Sequence, residues 1–193
     1  MKVFAKSVVC VMLLAFGSAF AQAKKANDDG SYAEVSYILW NIKSDSSSKS
    51  INPTGLRAIY GFGGNGLAYE AHLGLPLAAG TYTTVAGDDA DVPGNIKIDS
   101  KITSLGLFAK LYTKVSDDLE VFGRLGMSSV TVTAEVAATS ATAAAKASDK
   151  STPWGYGVGV KYKVGSSTSV VFDYTGYNKL SANTMGLGVA FAF

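Results

Sequence analysis

The sequence predicts an all-β fold: an eight-stranded antiparallel up-and-down barrel that crosses a membrane through its strands. Three observations predict it. Apolar residues alternate with small or polar ones, so the dominant period is two. The alternation falls into eight segments of about ten residues each, the length that a tilted strand needs to span a bilayer. The linkers alternate in length, which is the signature of a barrel with short turns at one end and long loops at the other. Composition agrees. The 193 residues are 48% hydrophobic and 11% aromatic, which excludes disorder. Only 17% are charged, below the roughly 25% of a soluble domain. No interior run approaches the ~18–20 apolar residues of a membrane helix. One Cys and one His exclude a Cys-rich zinc site and a disulfide framework.

Residues 1–23 read as a secretory signal peptide. Lys2 and Lys6 form a basic start, residues 7–18 an apolar stretch, and small residues allow cleavage after Ala21 or Ala23. The apolar run is too short for an anchor. Cys10 lies within it and leaves with it. The whole chain has 17 basic and 15 acidic residues. Removing Lys2 and Lys6 leaves the mature domain, 24–193, neutral. Its charge therefore gives no reason to expect nucleic acid as a partner.

The segments follow in order. Residues 32–42 place Ala33, Val35, Tyr37 and Leu39 on one face. Residues 54–62 set Leu56, Ala58, Tyr60 and Phe62 against Gly55, Arg57, Ile59 and Gly61. Residues 67–75 set Leu67, Tyr69, Ala71, Leu73 and Leu75 against Ala68, Glu70, His72 and Gly74. Residues 102–113 set Leu105, Leu107, Ala109 and Leu111 against Ser104, Gly106, Phe108 and Lys110. Residues 119–131 set Val121, Leu125 and Met127 against Phe122, Arg124, Gly126 and Ser128. Residues 154–162 set Trp154, Tyr156, Val158, Val160 and Tyr162 against three glycines and Lys161. Residues 169–175 set Val170, Phe172 and Tyr174 against Val171, Asp173 and Thr175. In 185–193 every odd position is large and apolar and every even one is Gly or Ala. Short linkers lie at 63–66, 115–118 and 164–168, longer ones at 43–53, 76–95, 134–152 and 176–183.

The second face carries mostly Gly, Ala and Ser, with about one charge per strand. That suits a narrow lumen, where small residues make room for a few long side chains. These must pair, because an unpaired buried charge is costly. The expected lumen network is Glu34, Arg57, Glu70, His72, Lys110, Arg124, Lys161 and Asp173. A turn over 63–66 would set Arg57 opposite His72 and diagonal to Glu70. A turn over 166–168 would pair Lys161 with Asp173. Trp40 and Phe108 fall on the same inner parity, which leaves two readings: side chains at the rim, or a slipped register in those strands.

With the signal peptide, the eight alternating segments and the C-terminal MGLGVAFAF in hand, the chain resembles the small eight-stranded outer-membrane barrels of Gram-negative bacteria, the group of the OmpA transmembrane domain and the OmpX- and opacity-type proteins. The resemblance covers essentially the whole mature chain, and its motifs are architectural. It implies both termini and short turns in the periplasm, longer extracellular loops and an inner salt-bridge network. It also implies a C-terminal signal for the outer-membrane assembly machinery, here Leu187, Val189, Phe191 and Phe193.

No catalytic constellation stands out. His72 is the one histidine, and no Ser follows it at the spacing used by barrel enzymes that modify lipid A. Asp88, Asp89 and Asp91 are three acids without the rest of a calcium-ligand pattern. GFGGNG at 61–66 lacks the Lys-Ser/Thr of a phosphate loop and reads as a hairpin turn. Residues 134–150 are Ala/Thr-rich, with high helix propensity at Ala143–Ala147. They fit either a mobile loop or an upward extension of two strands. The expectation is a non-enzymatic outer-membrane protein with a plugged polar lumen, without cofactor or metal. It would support envelope integrity or surface interaction through its loops. Its partners would be outer-membrane lipids including lipopolysaccharide, the assembly machinery and an extracellular partner of unknown kind. A small porin-like channel is the alternative, followed by a lipid-modifying enzyme or a soluble periplasmic lipocalin-like binder.

Overall fold

A computed structural model of the chain describes residues 30–43, 50–83, 96–137, 144–178 and 180–193. The signal-peptide reading, Cys10 and Asp88, Asp89 and Asp91 lie outside the described residues. Among the described residues no helix is long and apolar enough to cross a membrane, and strands form the fold.

The strands in chain order are β1 (Gly30–Lys43), β2 (Ser50–Ile51), β3 (Thr54–Gly64), β4 (Leu67–Ala78), β5 (Gly80–Thr83), β6 (Lys97–Lys114), β7 (Leu119–Val136), β8 (Ala145–Ser151), β9 (Trp154–Lys163), β10 (Thr168–Tyr177) and β11 (Ala182–Ala192). Eight of them, β1, β3, β4, β6, β7, β9, β10 and β11, pair in that order, each antiparallel to the next. The ring closes where β1 meets β11, from Tyr32 opposite Ala192 to Ile42 opposite Ala182. Closure removes the free edges that would otherwise template aggregation.

The three short strands continue barrel strands beyond the loop end. β2 pairs with β1, β5 with β6, and β8 with β7. Two of these continuations break at a proline. Proline donates nothing to a ladder, but its carbonyl still accepts. Pro53 accepts from Trp40 N at 2.9 Å and Pro153 from Ser128 N at 3.1 Å. The segment 134–150 is thus partly an upward extension: β7 runs to Val136 and Lys146–Ala147 are strand, not helix.

Faces follow the sequence parity, and registers do not. The turn between β3 and β4 is the two-residue Asn65-Gly66, joining Gly64 to Leu67. Asn65 has φ 55 and Gly66 φ 85, the two positive values of a type I′ hairpin, which Asn-Gly supplies at least strain. The expected four-residue turn is corrected by this. Arg57 sits opposite Gly74, and His72 opposite Ile59. Likewise the β9–β10 turn uses 165–167, since Val164 N donates to Thr168 O at 3.0 Å. Lys161 then faces Val171, and Asp173 faces Gly159. Both shifts are by two, so each side chain keeps its face.

The outer wall is apolar, with Leu107 71% exposed and Leu111 65%. Aromatic residues lie toward both ends: Tyr60, Phe62, Tyr69 and Tyr162 toward the turns, Tyr37, Trp154, Tyr156 and Tyr174 toward the loops. The inner wall is kept clear by small residues. A Cβ at Gly186 would lie 2.8 Å from Arg57 Nη2 and 2.9 Å from Asp173 Oδ2. At Gly126 it would lie 2.1 Å from the Leu107 carbonyl and 2.6 Å from Phe108 Cα, both backbone. Gly126→Ala should therefore cost about 1–3 kcal/mol, the usual penalty for overpacking. Gly123→Ala, whose Cβ would meet only Gly157 O at 3.8 Å, should be nearly neutral. Urea unfolding of the two variants in lipid vesicles checks the contrast.

Candidate functional site

Three groups of inward side chains stack along the lumen, and the strand order explains each. The middle group centres on two arginines. Arg57 of β3 reaches across β1 and β11 to Asp173 of β10, over the space left by Ser36 and Gly186. Its Nη1 donates to Asp173 Oδ1 at 3.1 Å, and its Nη2 donates to Asp173 Oδ2. Nη2 also meets Glu34 Oε1 at 3.3 Å and Ser36 Oγ at 3.4 Å. Arg124 of β7 lies 3.3 Å from Glu70 through Nε and 3.8 Å from Asp173 through Nη1. Glu70 also accepts from the Tyr32 hydroxyl and contacts His72 Nε2 at 2.8 Å. All six charged or histidine side chains here are buried.

The group nearest the turns is smaller. Lys110 and Lys161 converge on one carboxylate, Glu120, at 2.9 and 2.8 Å. The rings of Phe122, Tyr32 and Tyr112 surround the Lys110 ammonium at 4.4, 5.1 and 5.4 Å, a cation–π arrangement that replaces part of its lost hydration. This group opens toward the turn end into a cavity of about 210 Å³, lined among others by Tyr32, Lys110, Glu120 and Lys161.

The group toward the loops is apolar. Ile38, Trp40, Ile102, Phe108, Val130 and Tyr177 form one buried cluster, with Ile42, Val132 and Leu180 packed against it. Trp40 stacks on Tyr177 at 5.2 Å, and Phe108 stacks on His72 at 4.4 Å, joining the apolar group to the charged one. The expected polar lumen is corrected here: its loop-side part is apolar. Trp40 and Phe108 are on the inner face because β1 and β6 truly point them there, not through a slipped register.

All eight expected network residues lie on the inner face, but with different partners. Arg57 pairs with Glu34 and Asp173 and is not the cross-strand partner of His72. Lys161 pairs with Glu120, not Asp173. Glu120 was not among the expected residues, although it shares the even parity of Phe122 and Arg124. With it, four carboxylates (Glu34, Glu70, Glu120, Asp173) face four cations (Arg57, Lys110, Arg124, Lys161). Among the described residues, no group of three or more His, Cys, Asp and Glu side chains is arranged to hold a metal ion. At the C-terminus, Leu187 and Val189 face outward, and Phe193 exchanges backbone hydrogen bonds with Ser31 at 2.9 and 3.2 Å.

A closed ring of eight strands, apolar outside and charge-paired inside, defines a barrel that sits in lipid: an integral β-barrel of an outer membrane. The chain belongs to the outer membrane protein beta-barrel domain family, whose model matches residues 9–193. It is located in the outer membrane. No curated protein matches it. Among solved structures it is similar to Neisserial surface protein A, at 16% identity over 87% of this chain and 100% of that one, TM-score 0.61. It is also similar to Ail, the attachment invasion locus protein of Yersinia pestis, in complex with the heparin analogue sucrose octasulfate (17%, 86% and 100%, TM-score 0.60). OprG from Pseudomonas aeruginosa is similar at 11%, 89% and 99%, TM-score 0.59. Identities this low show a shared fold alone.

Proposed function

We propose that this protein is a non-enzymatic outer-membrane barrel with a closed lumen, and that it works at its loop end, supporting envelope integrity or contact at the cell surface. One observation carries the closed-lumen reading. Above the ion pairs, six large apolar side chains meet across the bore, and ions do not readily cross a narrow apolar constriction. In this reading the lumen charges hold strands together, and His72, buried between Glu70 and Phe108, is structural. The outward residues Leu187, Val189 and Phe191 with terminal Phe193 are the signal for assembly.

The cavity at the turn end favours a second reading, a small channel entered from the periplasm. None of the six apolar residues lines that cavity, so a channel would need them to move. Purified, heat-modifiable protein in a planar bilayer separates the two. The closed lumen gives a flat current trace across ±100 mV or so. Discrete, reproducible conductance steps from the wild type would overturn it in favour of the channel.

A further inference from the structure

We propose that the turn-end mouth of the barrel binds an oxyanion, the phosphate or carboxylate group of a small solute, and that the Lys161 ammonium is its anchor. Parity supplies the charge. The inward positions of β6 end in Lys110, Tyr112 and Lys114, and those of β9 end in Lys161 and Lys163. On β7 the first inward residue is Glu120, which the ladder sets between Lys114 and Lys161. The exposed rim carries both signs: Lys114 and Lys163 stand with Asp117 and Asp118, and Ser31 N donates to the Phe193 carboxylate at 3.2 Å. The imbalance lies deeper, where Lys110 and Lys161 share the single carboxylate of Glu120.

Burial decides which lysine can take a ligand. Lys110 lies 2.9 Å from Glu120 Oε1 with its side chain 4% exposed, walled in by the rings of Tyr32, Tyr112 and Phe122. Lys161 lies 2.8 Å from Glu120 Oε2, and its side chain is 26% exposed on the cavity wall. An ammonium has three donors, and Glu120 meets Lys161 through one oxygen. One carboxylate also balances only one of the two cations, and a partly desolvated excess charge is costly. An oxyanion beside Lys161 supplies the second negative charge. The hydroxyls of Ser31, Ser167 and Ser169, which line the same cavity, suit its remaining oxygens. A cation would meet two ammonium groups at the floor. The cavity, about 210 Å³, far exceeds the roughly 10–15 Å³ that one water needs, so a phosphate or an acetate enters with some of its water. None of the six apolar residues of the loop-side cluster lines this cavity, so the site stands whether or not the lumen is closed.

The test uses protein purified from outer membranes in an uncharged detergent, so that no headgroup competes. It is titrated with inorganic phosphate, and separately with acetate, at an ionic strength held constant with chloride. Amide NMR signals report binding. Saturable shifts are expected at Ser31, Lys161 and Ser169, and none at Thr131 or Thr133 toward the other end. Saturation by phosphate alone or by acetate alone supports the proposal and names the group; saturation by both supports the oxyanion in general.

Lys161→Gln should weaken binding on the order of tenfold, the value of one hydrogen bond to a charged group. It leaves Lys110 paired with Glu120, so the fold should hold. Lys161→Arg keeps the charge and should keep most of the affinity. Ser169→Glu, opposite Lys163 in the ladder, removes no lysine and should weaken the same binding; it carries the test if Lys161→Gln no longer shifts on heating. Lys101→Gln, on the loop side, should change nothing. Absence of saturation with both probes would overturn the proposal, as would the same shifts with chloride alone. Undiminished affinity in folded Lys161→Gln and Ser169→Glu, or an equal loss in Lys101→Gln, would overturn it as well.

Discussion

Asp173→Ala is expected to destabilise the barrel by about 3–5 kcal/mol, the range for removing one member of a buried ion pair. Asp173 is 1% exposed and serves both buried arginines. Without it Arg57 keeps only Glu34 at 3.3 Å, and Arg124 keeps only Glu70. A buried guanidinium without a full counter-charge cannot shed its proton, so it either draws water into the lumen or pulls the strands out of register. The effect should be partly undone by Arg57→Met, which removes the cation along with its anion. A well-packed apolar pair is often no worse than a buried ionic one. Urea unfolding in vesicles, followed by tryptophan fluorescence, gives the two single variants and the double. The double should lose clearly less than the two single losses together. Strict additivity would mean that Arg57 and Asp173 are neighbours without coupling.

That pair also shows what the sequence could and could not convey. Parity was legible throughout because lipid and lumen demand opposite residues at alternate positions, and a period of two survives any shift by two. The inward placement of Arg57 and Asp173 followed from it. Their pairing did not. It joins β3 to β10 across the β1–β11 closure, and hairpin arithmetic cannot reach past adjacent strands. Where hairpin arithmetic did apply, it failed on turn length: Gly63 and Gly64 belong to strand β3, and only Asn65-Gly66 turns. Glycine is a turn signal and, in this barrel, also an inner-wall residue, so composition could not tell the two uses apart.

Glu120 had a readable signal, its parity with Phe122 and Arg124 inside the segment 119–131, but a charge at the second residue after a turn meets the rim as readily as the lumen. The apolar group had one as well. Ile38, Trp40, Ile102, Val130 and Tyr177 all take inner parity at the loop-side ends of their strands. A rule that the lumen is polar hides that regularity, because it treats each as an exception. The extension above the belt was the least legible. The described parts of that Ala- and Thr-rich sequence, residues 134–137 and 144–150, have no alternation to follow, since small and charged residues stand on both faces.

If the apolar layer closes the lumen, replacing Trp40 and Phe108 together by Ala is expected to give the barrel measurable ion current. Both rings point into the bore, at 3% and 4% exposure. Trp40 stacks on Tyr177 and Phe108 on His72, so their removal takes out the middle of the apolar layer and leaves space that water can enter from both sides. An apolar constriction blocks ions by expelling water, and it fails when widened. The ion pairs beneath should not hold the barrier alone: they attract water, and the lower pair already borders the cavity at the turn end. Each truncation costs about 3–5 kcal/mol of packing, so conductance is read only from protein that still shifts on heating, with Trp40→Ala and Phe108→Ala as milder cases. The contrast with Asp173→Ala is decisive. If the apolar layer is the barrier, Asp173→Ala weakens the fold but stays silent in the bilayer, while Trp40→Ala/Phe108→Ala conducts. Current through folded Asp173→Ala and none through the double variant would place the barrier at the ion pairs instead, and the aromatic stack would then be packing alone.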